Sequence, residues 1–314
     1  MIRLVGVELT RLRWRRAVLI LLALGVALTA VVFVGVVVDS RSRTLEDVAA
    51  SNGPQVLDEV AQCVDHPRRY GLPKDADDVQ TTCEQTILGY YGVNDLDLRE
   101  QREAGSGPAL VALLAVILLL AGTTFVGHDW NTGSMSNQLL FEPRRLRVWA
   151  AKAAAVVVVT GALTLAVLAA YWTGLWAFAA ARDVPIPEHA VDAAYKQAVL
   201  GTLFVAGAAL LGYALTMLLR TTVGSLGLLL GIAFLGIVVV WTGFGDGERF
   251  MPWSNFVAYV VGGYTYYSDN SCGPTGCTSL EHTIGRADSA VYFLVVLLVV
   301  TAASAASFRR RDVP

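Results

Sequence analysis

Charged residues disappear from this chain for long stretches and then return in clusters. Six windows contain no Asp, Glu, Lys or Arg: 17–38, 107–127, 153–181, 197–219, 221–245 and 289–308. At about 1.5 Å per helical residue, each reaches across a hydrocarbon core of roughly 30 Å. Apolar and polar positions do not alternate within them, so they read as helices and not as barrel strands. The pattern predicts an all-α polytopic membrane protein, one domain over 1–314 with six transmembrane helices.

The segments between the windows have patterns of their own. In 1–16, Ile2, Val5, Leu9 and Leu12 recur at three- and four-residue steps, while Arg3, Glu8, Arg11 and Arg15 fall largely on other faces. This predicts an amphipathic helix lying in the interface, with Trp14 at headgroup level and arginines toward anionic lipid; a plain basic anchor is the alternative. The first window exceeds a signal-peptide core of about 7–15 residues, and Val38-Asp39-Ser40 offers no small-x-small site, so an uncleaved span is expected. Residues 39–106 form the longest polar segment, an outer lobe with too few large apolar residues for an independent core. Short helices are expected around 43–63 and 77–90, separated by Pro67 and Pro73. In the other long polar segment, 246–288, the stretch 253–263 (WSNFVAYVVGG) is apolar but too short to span, and predicts a re-entrant or interfacial element.

Composition agrees with the membrane reading: 55% of residues are hydrophobic and 16% charged, and the mean hydropathy is +0.54. Charge sets the orientation. With the N-terminus inside, the inner segments carry 13 Lys+Arg against 4 Asp+Glu, and the outer segments 11 against 22. Positive residues in short loops favour the cytoplasm, so both termini are expected there. The Ala/Val-rich spans suit a bacterial inner (plasma) membrane protein.

Cys63, Cys83, Cys272 and Cys277 all fall on the expected outer side, where an even count suggests disulfides. Four cysteines allow three connectivities. Local pairing is the natural one, Cys63 with Cys83 and Cys272 with Cys277 around Gly273-Pro274-Thr275-Gly276. A metal site is the competing reading, since His66 follows Cys63 by three residues and His282 follows Cys277 by five, although neither spacing matches the usual zinc patterns.

Several function classes are disfavoured. The six windows lack the ionisable groups that gradient-driven pumps and intramembrane enzymes place in the bilayer. Ser134, Ser136 and His128 make no acid–base–nucleophile set. No G-x-x-x-x-G-K-[ST] loop is present to cradle a nucleotide, so ATP would have to be bound elsewhere. No nucleic-acid partner, cofactor or metal is expected in this chain, and it is not expected to be an enzyme.

The segment 128–152 (HDWNTGSMSNQLLFEPRRLRVWAAK) is the most specific. The second window can continue as helix through Asp129 and Trp130, with Gly133 free to take the positive φ that ends it. Ser134 then caps a short helix over 135–141, and Pro143 ends that helix. In order, Asp129, Gly133-Ser134, Leu139-Leu140, Pro143, Arg145 and Lys152 make this segment similar to the membrane subunits of type-2 ABC exporters, the ABC-2 permease family. Asp129 departs from the Glu usual there, and the sizeable outer lobe after the first span is a second departure. The likeness extends to the interfacial first helix, six spans, cytoplasmic ends and the apolar element before the last span.

The resemblance implies that 128–152 is a coupling loop docking in a cleft of a separate ATPase subunit. Met135, Gln138, Leu139 and Phe141 would make the contact, and Asp129 and Arg145 would set the loop's geometry by pairing with neighbours. It further implies two ATPase copies using ATP and Mg²⁺, a second membrane subunit (the same chain or a paralogue), and export of an amphipathic or lipid-like substrate such as a drug, peptide or lipid. Gly201, Gly207, Gly212, Gly224, Gly227 and Gly231 fit either close approach between subunits or ordinary helix packing. The alternative function is a membrane sensor or resistance factor whose outer lobe binds a ligand and signals to a cytoplasmic ATPase without transport. A scaffold for an envelope enzyme is a third.

Overall fold

The computed structural model describes residues 2–40, 44–73, 78–91, 96–182, 184–241, 245–273 and 276–310, with backbone alone for 237, 239–241, 245, 246, 268–273 and 276–280. In chain order the helices are α1 (Ile2–Arg13), α2 (Arg16–Asp39), α3 (Leu45–Asn52), α4 (Gln55–Asp65), α5 (Val79–Tyr90), α6 (Leu98–Glu103), α7 (Ser106–Asn131), α8 (Ser134–Phe141), α9 (Arg145–Ala180), α10 (Ala190–Leu219), α11 (Thr222–Trp241) and α12 (Pro252–Val261). A ribbon of β1 (Gly263–Gly273) and β2 (Gly276–Gly285) follows, and then α13 (Arg286–Arg310).

Five helical runs are long and apolar enough to cross a membrane: α2, Leu98–Asn131, α9, α10 and α13. The sixth expected span falls on α11, an apolar helix of 20 residues; over its described side chains it counts only as a shorter apolar helix, Thr222–Gly236. The centre of the bundle is α7 against α10. Leu110, Leu114, Leu118 and Phe125 of α7 are fully buried, as are Val205, Ala209 and Tyr213 of α10. The two backbones nearly touch: a Cβ on Gly122 would collide with the Ala209 carbonyl, and one on Gly212 with that of Leu119. Gly212, and Gly201 against Val111 and Leu168, therefore serve packing within this chain, whereas Gly227 and Gly231 of α11 face open space. By contrast α2, α11 and α13 present exposed Val31, Phe234 and Val299, the surface that lipid requires.

The lobe after α2 is built from short helices, most of them capped by a side chain. Thr44 and Asp47 form a reciprocal capping box at the start of α3. Gly53, at φ +103, and Pro54 then divide the expected 43–63 helix into α3 and α4. Asp78 caps α5, and the Thr81 hydroxyl and amide that bond to it hold its carboxyl below the usual range. The Cys63–Cys83 disulfide joins α4 to α5. This overturns a metal site at Cys63 and His66, because both sulfurs are consumed in the bond. The lobe also exceeds its expectation, since Val48, Val56, Val60 and Ile87 pack into a small core of their own.

The ribbon corrects the all-α reading. Along 264–267 and 281–284, Tyr264, Tyr266, His282 and Ile284 alternate with the exposed Thr265, Tyr267, Glu281 and Thr283. Tyr266 and Ile284 pack on Ala258 of α12, so the period is that of a half-buried strand. Cys272 and Cys277 stand opposite each other in the backbone register, while their side chains and residues 274–275 lie outside what is described, so the expected Cys272–Cys277 bond does too. α12 is ten residues long and packs beneath the ribbon. Its carboxyl end is held by cations: Arg286 donates to the carbonyls of Tyr259 (3.1 Å) and Val261 (3.1 Å), and Arg102 donates to Val261 at 3.4 Å. Positive charge is favourable at a helix C-terminus, where the carbonyls lack intrahelical partners.

Candidate functional site

The segment from Asp129 to Lys152 folds as an elbow between two long helices. α7 runs to Asn131 and stops at Gly133, which takes φ +67, a conformation that suits glycine. α8 begins at Ser134 itself, which therefore lies inside the helix; Ser134 was expected to cap it from outside, but the residue before the helix is Gly133. Glu142 is extended ahead of Pro143, as proline demands of its neighbour. α9 starts at Arg145 and, at 36 residues, is about 54 Å long, so its first turns extend beyond the thickness of a bilayer core.

The elbow encloses a buried ionic cluster. Lys152 Nζ lies 2.8 Å from Glu8 Oε2 and 2.7 Å from Asp129 Oδ2, and all three side chains are withdrawn from solvent. Arg15, in the link between α1 and α2, pairs with the other oxygen of Asp129 and donates to the Phe125 carbonyl. The Phe125 ring stands 5.0 Å from Arg15 Cζ and 5.5 Å from Lys152 Nζ, within cation–π range. Two carboxylates thus meet Lys152 and Arg15, with Arg11 a longer 3.7 Å from Glu8, and Asp129 spends both oxygens on the first two. Stripping water from charges costs several kcal/mol per ion, so such a group persists only where each is paired and hydrogen-bonded. Beside it, the buried Tyr213 hydroxyl donates to the Trp149 carbonyl at 2.7 Å, and Trp149 Nε1 donates to Ser304 Oγ at 3.1 Å, extending the polar contacts to α10 and α13.

The faces of α8 divide sharply. Met135 is fully buried in the bundle core, and Leu139 packs partly against it. Gln138 is engaged within the chain: its Nε2 donates to Glu8 Oε1 at 2.5 Å, and its Oε1 accepts from Arg11 at 3.1 Å. Leu140 and Phe141 point outward, 81% and 91% exposed. Of the four side chains expected to make a docking contact, Phe141 alone is fully presented, and Leu140 joins it. Pro143, Arg144 and Arg147 are exposed alongside, while Arg145 is half-buried.

Sequence reading missed Glu8, Arg15 and Lys152 as members of one cluster. The periodicity of α1 assigned Glu8 and Arg15 to polar faces, whereas Glu8 is buried with Leu12, one turn later, against the bundle. Asp129 and Lys152 adjoin the ends of consecutive spans with opposite sign, and a third charge on the preceding helix was the available signal.

A scan against known protein families, a search of curated proteins and a search of solved structures each return no match to this chain.

Proposed function

We propose that this chain is the membrane-spanning subunit of an ATP-driven exporter of the ABC-2 permease type. α8 is the coupling helix that docks on a separate ATPase. The observation that supports this best is the construction of the elbow: an eight-residue helix between Gly133 and Pro143 is braced from behind by buried ions and offers Leu140 and Phe141 outward. An apolar pair this exposed suits a protein cleft, and the brace suits a part that must transmit force without yielding. In this reading α11 completes six spans, both termini and α8 are cytoplasmic in a bacterial inner membrane, and the lobe and ribbon lie outside. Two ATPase copies carrying ATP and Mg²⁺ drive two membrane subunits. Their cargo is amphipathic or lipid-like, because the six windows carry no Asp, Glu, Lys or Arg to favour a small ion. Affinity purification of the full chain tests this. An ATP-binding protein is expected to copurify with the wild type and to be lost from the Leu140→Asp/Phe141→Asp variant. Undiminished recovery with that variant overturns the docking role.

A further inference from the structure

The ionic cluster does more than neutralise charge between spans, because one of its carboxylates belongs to the first helix and reaches the elbow. Glu8 accepts Gln138 Nε2 on Oε1 and Lys152 Nζ on Oε2, so a single side chain of α1 ties α8 to the start of α9. Arg11, one turn along α1, donates to Gln138 Oε1 and lies 3.7 Å from Glu8 Oε1. Both ends of the Gln138 amide are therefore held by α1. Covalently, α8 hangs between two breaks, the left-handed Gly133 and the extended Glu142 before Pro143. Neither break fixes the helix direction as a continuous helix would, since each removes the i to i+4 bonds that stiffen a helical rod. Met135 and, in part, Leu139 anchor one side of α8 in the core, and Glu8 and Arg11 hold the intervening Gln138.

We infer that Glu8 and Arg11 are positioning residues for α8: α1, α8 and the first turns of α9 form one rigid unit. Load on α8 then passes through Gln138–Glu8–Lys152 into α9. The inference rests on the docking role proposed above. It assigns α1 a part in coupling in addition to any contact with lipid. A side chain that merely anchored α1 in the interface would leave the order of α8 unaffected.

Hydrogen exchange on the full chain in lipid nanodiscs tests the rigid unit without any ATPase. The variants are Glu8→Gln, Arg11→Met and Glu8→Leu/Lys152→Met, the last replacing an ion pair by apolar groups so that no lone charge is buried. In all three, amides of Ser134–Phe141 are expected to exchange about tenfold faster or more, while residues 110–118 of α7 keep their protection, as local opening requires. If a single variant also loses protection in α7, the double replacement decides. Faster exchange confined to α1, with α8 unchanged in the double replacement, overturns the inference. Bridging Arg11→Cys to Gln138→Cys with a short reducible bifunctional thiol reagent is expected to slow exchange of Ser134–Phe141 about tenfold relative to the unbridged pair, since the bridge replaces the contact that the two substitutions remove. Exchange of α8 unchanged by the bridge shows instead that α1 does not hold it. Should no ATPase bind the wild-type chain, the docking reading falls while the exchange result still judges the rigid unit.

Discussion

Each end of this bundle engages cations, and the two ends use them differently. At one end Lys152 and Arg15 meet the carboxylates of Asp129 and Glu8, contributed by separate elements. At the other, Arg286 meets the Tyr259 and Val261 carbonyls at the end of α12, and Arg102, which is also paired with the half-exposed Glu103 of its own helix, reaches the Val261 carbonyl. A carbonyl is neutral and already shaped by its helix, so the second arrangement caps one short element at modest cost. A carboxylate must be desolvated as well, so the first arrangement is favourable only when every partner is present. The difference separates an end built to hold one helix down from an end built to keep several in register.

Removing a partner from the carboxylate end should have the largest effect. Lys152→Ala leaves buried Glu8 only the longer Arg11 contact and the Gln138 amide and weakens the hold on Asp129, and a loss of about 3–5 kcal/mol is expected from an under-compensated buried charge; denaturant melts in detergent measure it. Next is the lobe. Cys63→Ser/Cys83→Ser opens a link with a sequence separation of 20, which should cost about 3 kcal/mol, read as earlier proteolysis of α4 and α5 with the bundle intact. At the carbonyl end Arg286→Met should lose about 2 kcal/mol, because the charge-assisted bonds it removes leave neutral acceptors; a loss as large as that of Lys152→Ala would erase the contrast. The smallest stability change is expected for Leu140→Asp/Phe141→Asp, within about 0.5 kcal/mol, as these side chains touch little of their own chain. Their effect belongs to partner binding.

How much of this was legible in the sequence depended on the range of the interactions. The charge-free runs that became α2, α7, α9, α10 and α13 were readable, because a bilayer imposes its thickness on composition. Gly133 and Pro143 bounded α8 by local backbone rules. The division of the lobe helix at Gly53-Pro54 was legible too, although the expected helix ran through it. The ribbon was missed because Tyr264-Thr265-Tyr266-Tyr267 alternates over too few residues to stand out beside an apolar neighbour, and its partner segment lies more than ten residues further along the chain. The ionic cluster was invisible for a different reason: Glu8 and Lys152 are 144 positions apart, and nothing local to Glu8 says that its face of α1 meets a lysine. The same blindness misplaced Gln138 and Met135, which are apt for a docking face until the rest of the chain is seen to cover them.

The central claim, that α8 faces the cytosol and receives an ATPase, is tested most directly by photo-crosslinking in intact cells. A benzophenone side chain is placed in turn at Phe141 and at Tyr90, which is similarly exposed on the lobe. The account predicts an adduct with an ATP-binding protein from position 141 and none from position 90. Capture of that protein from position 90, or of periplasmic or extracellular proteins alone from position 141, would contradict it.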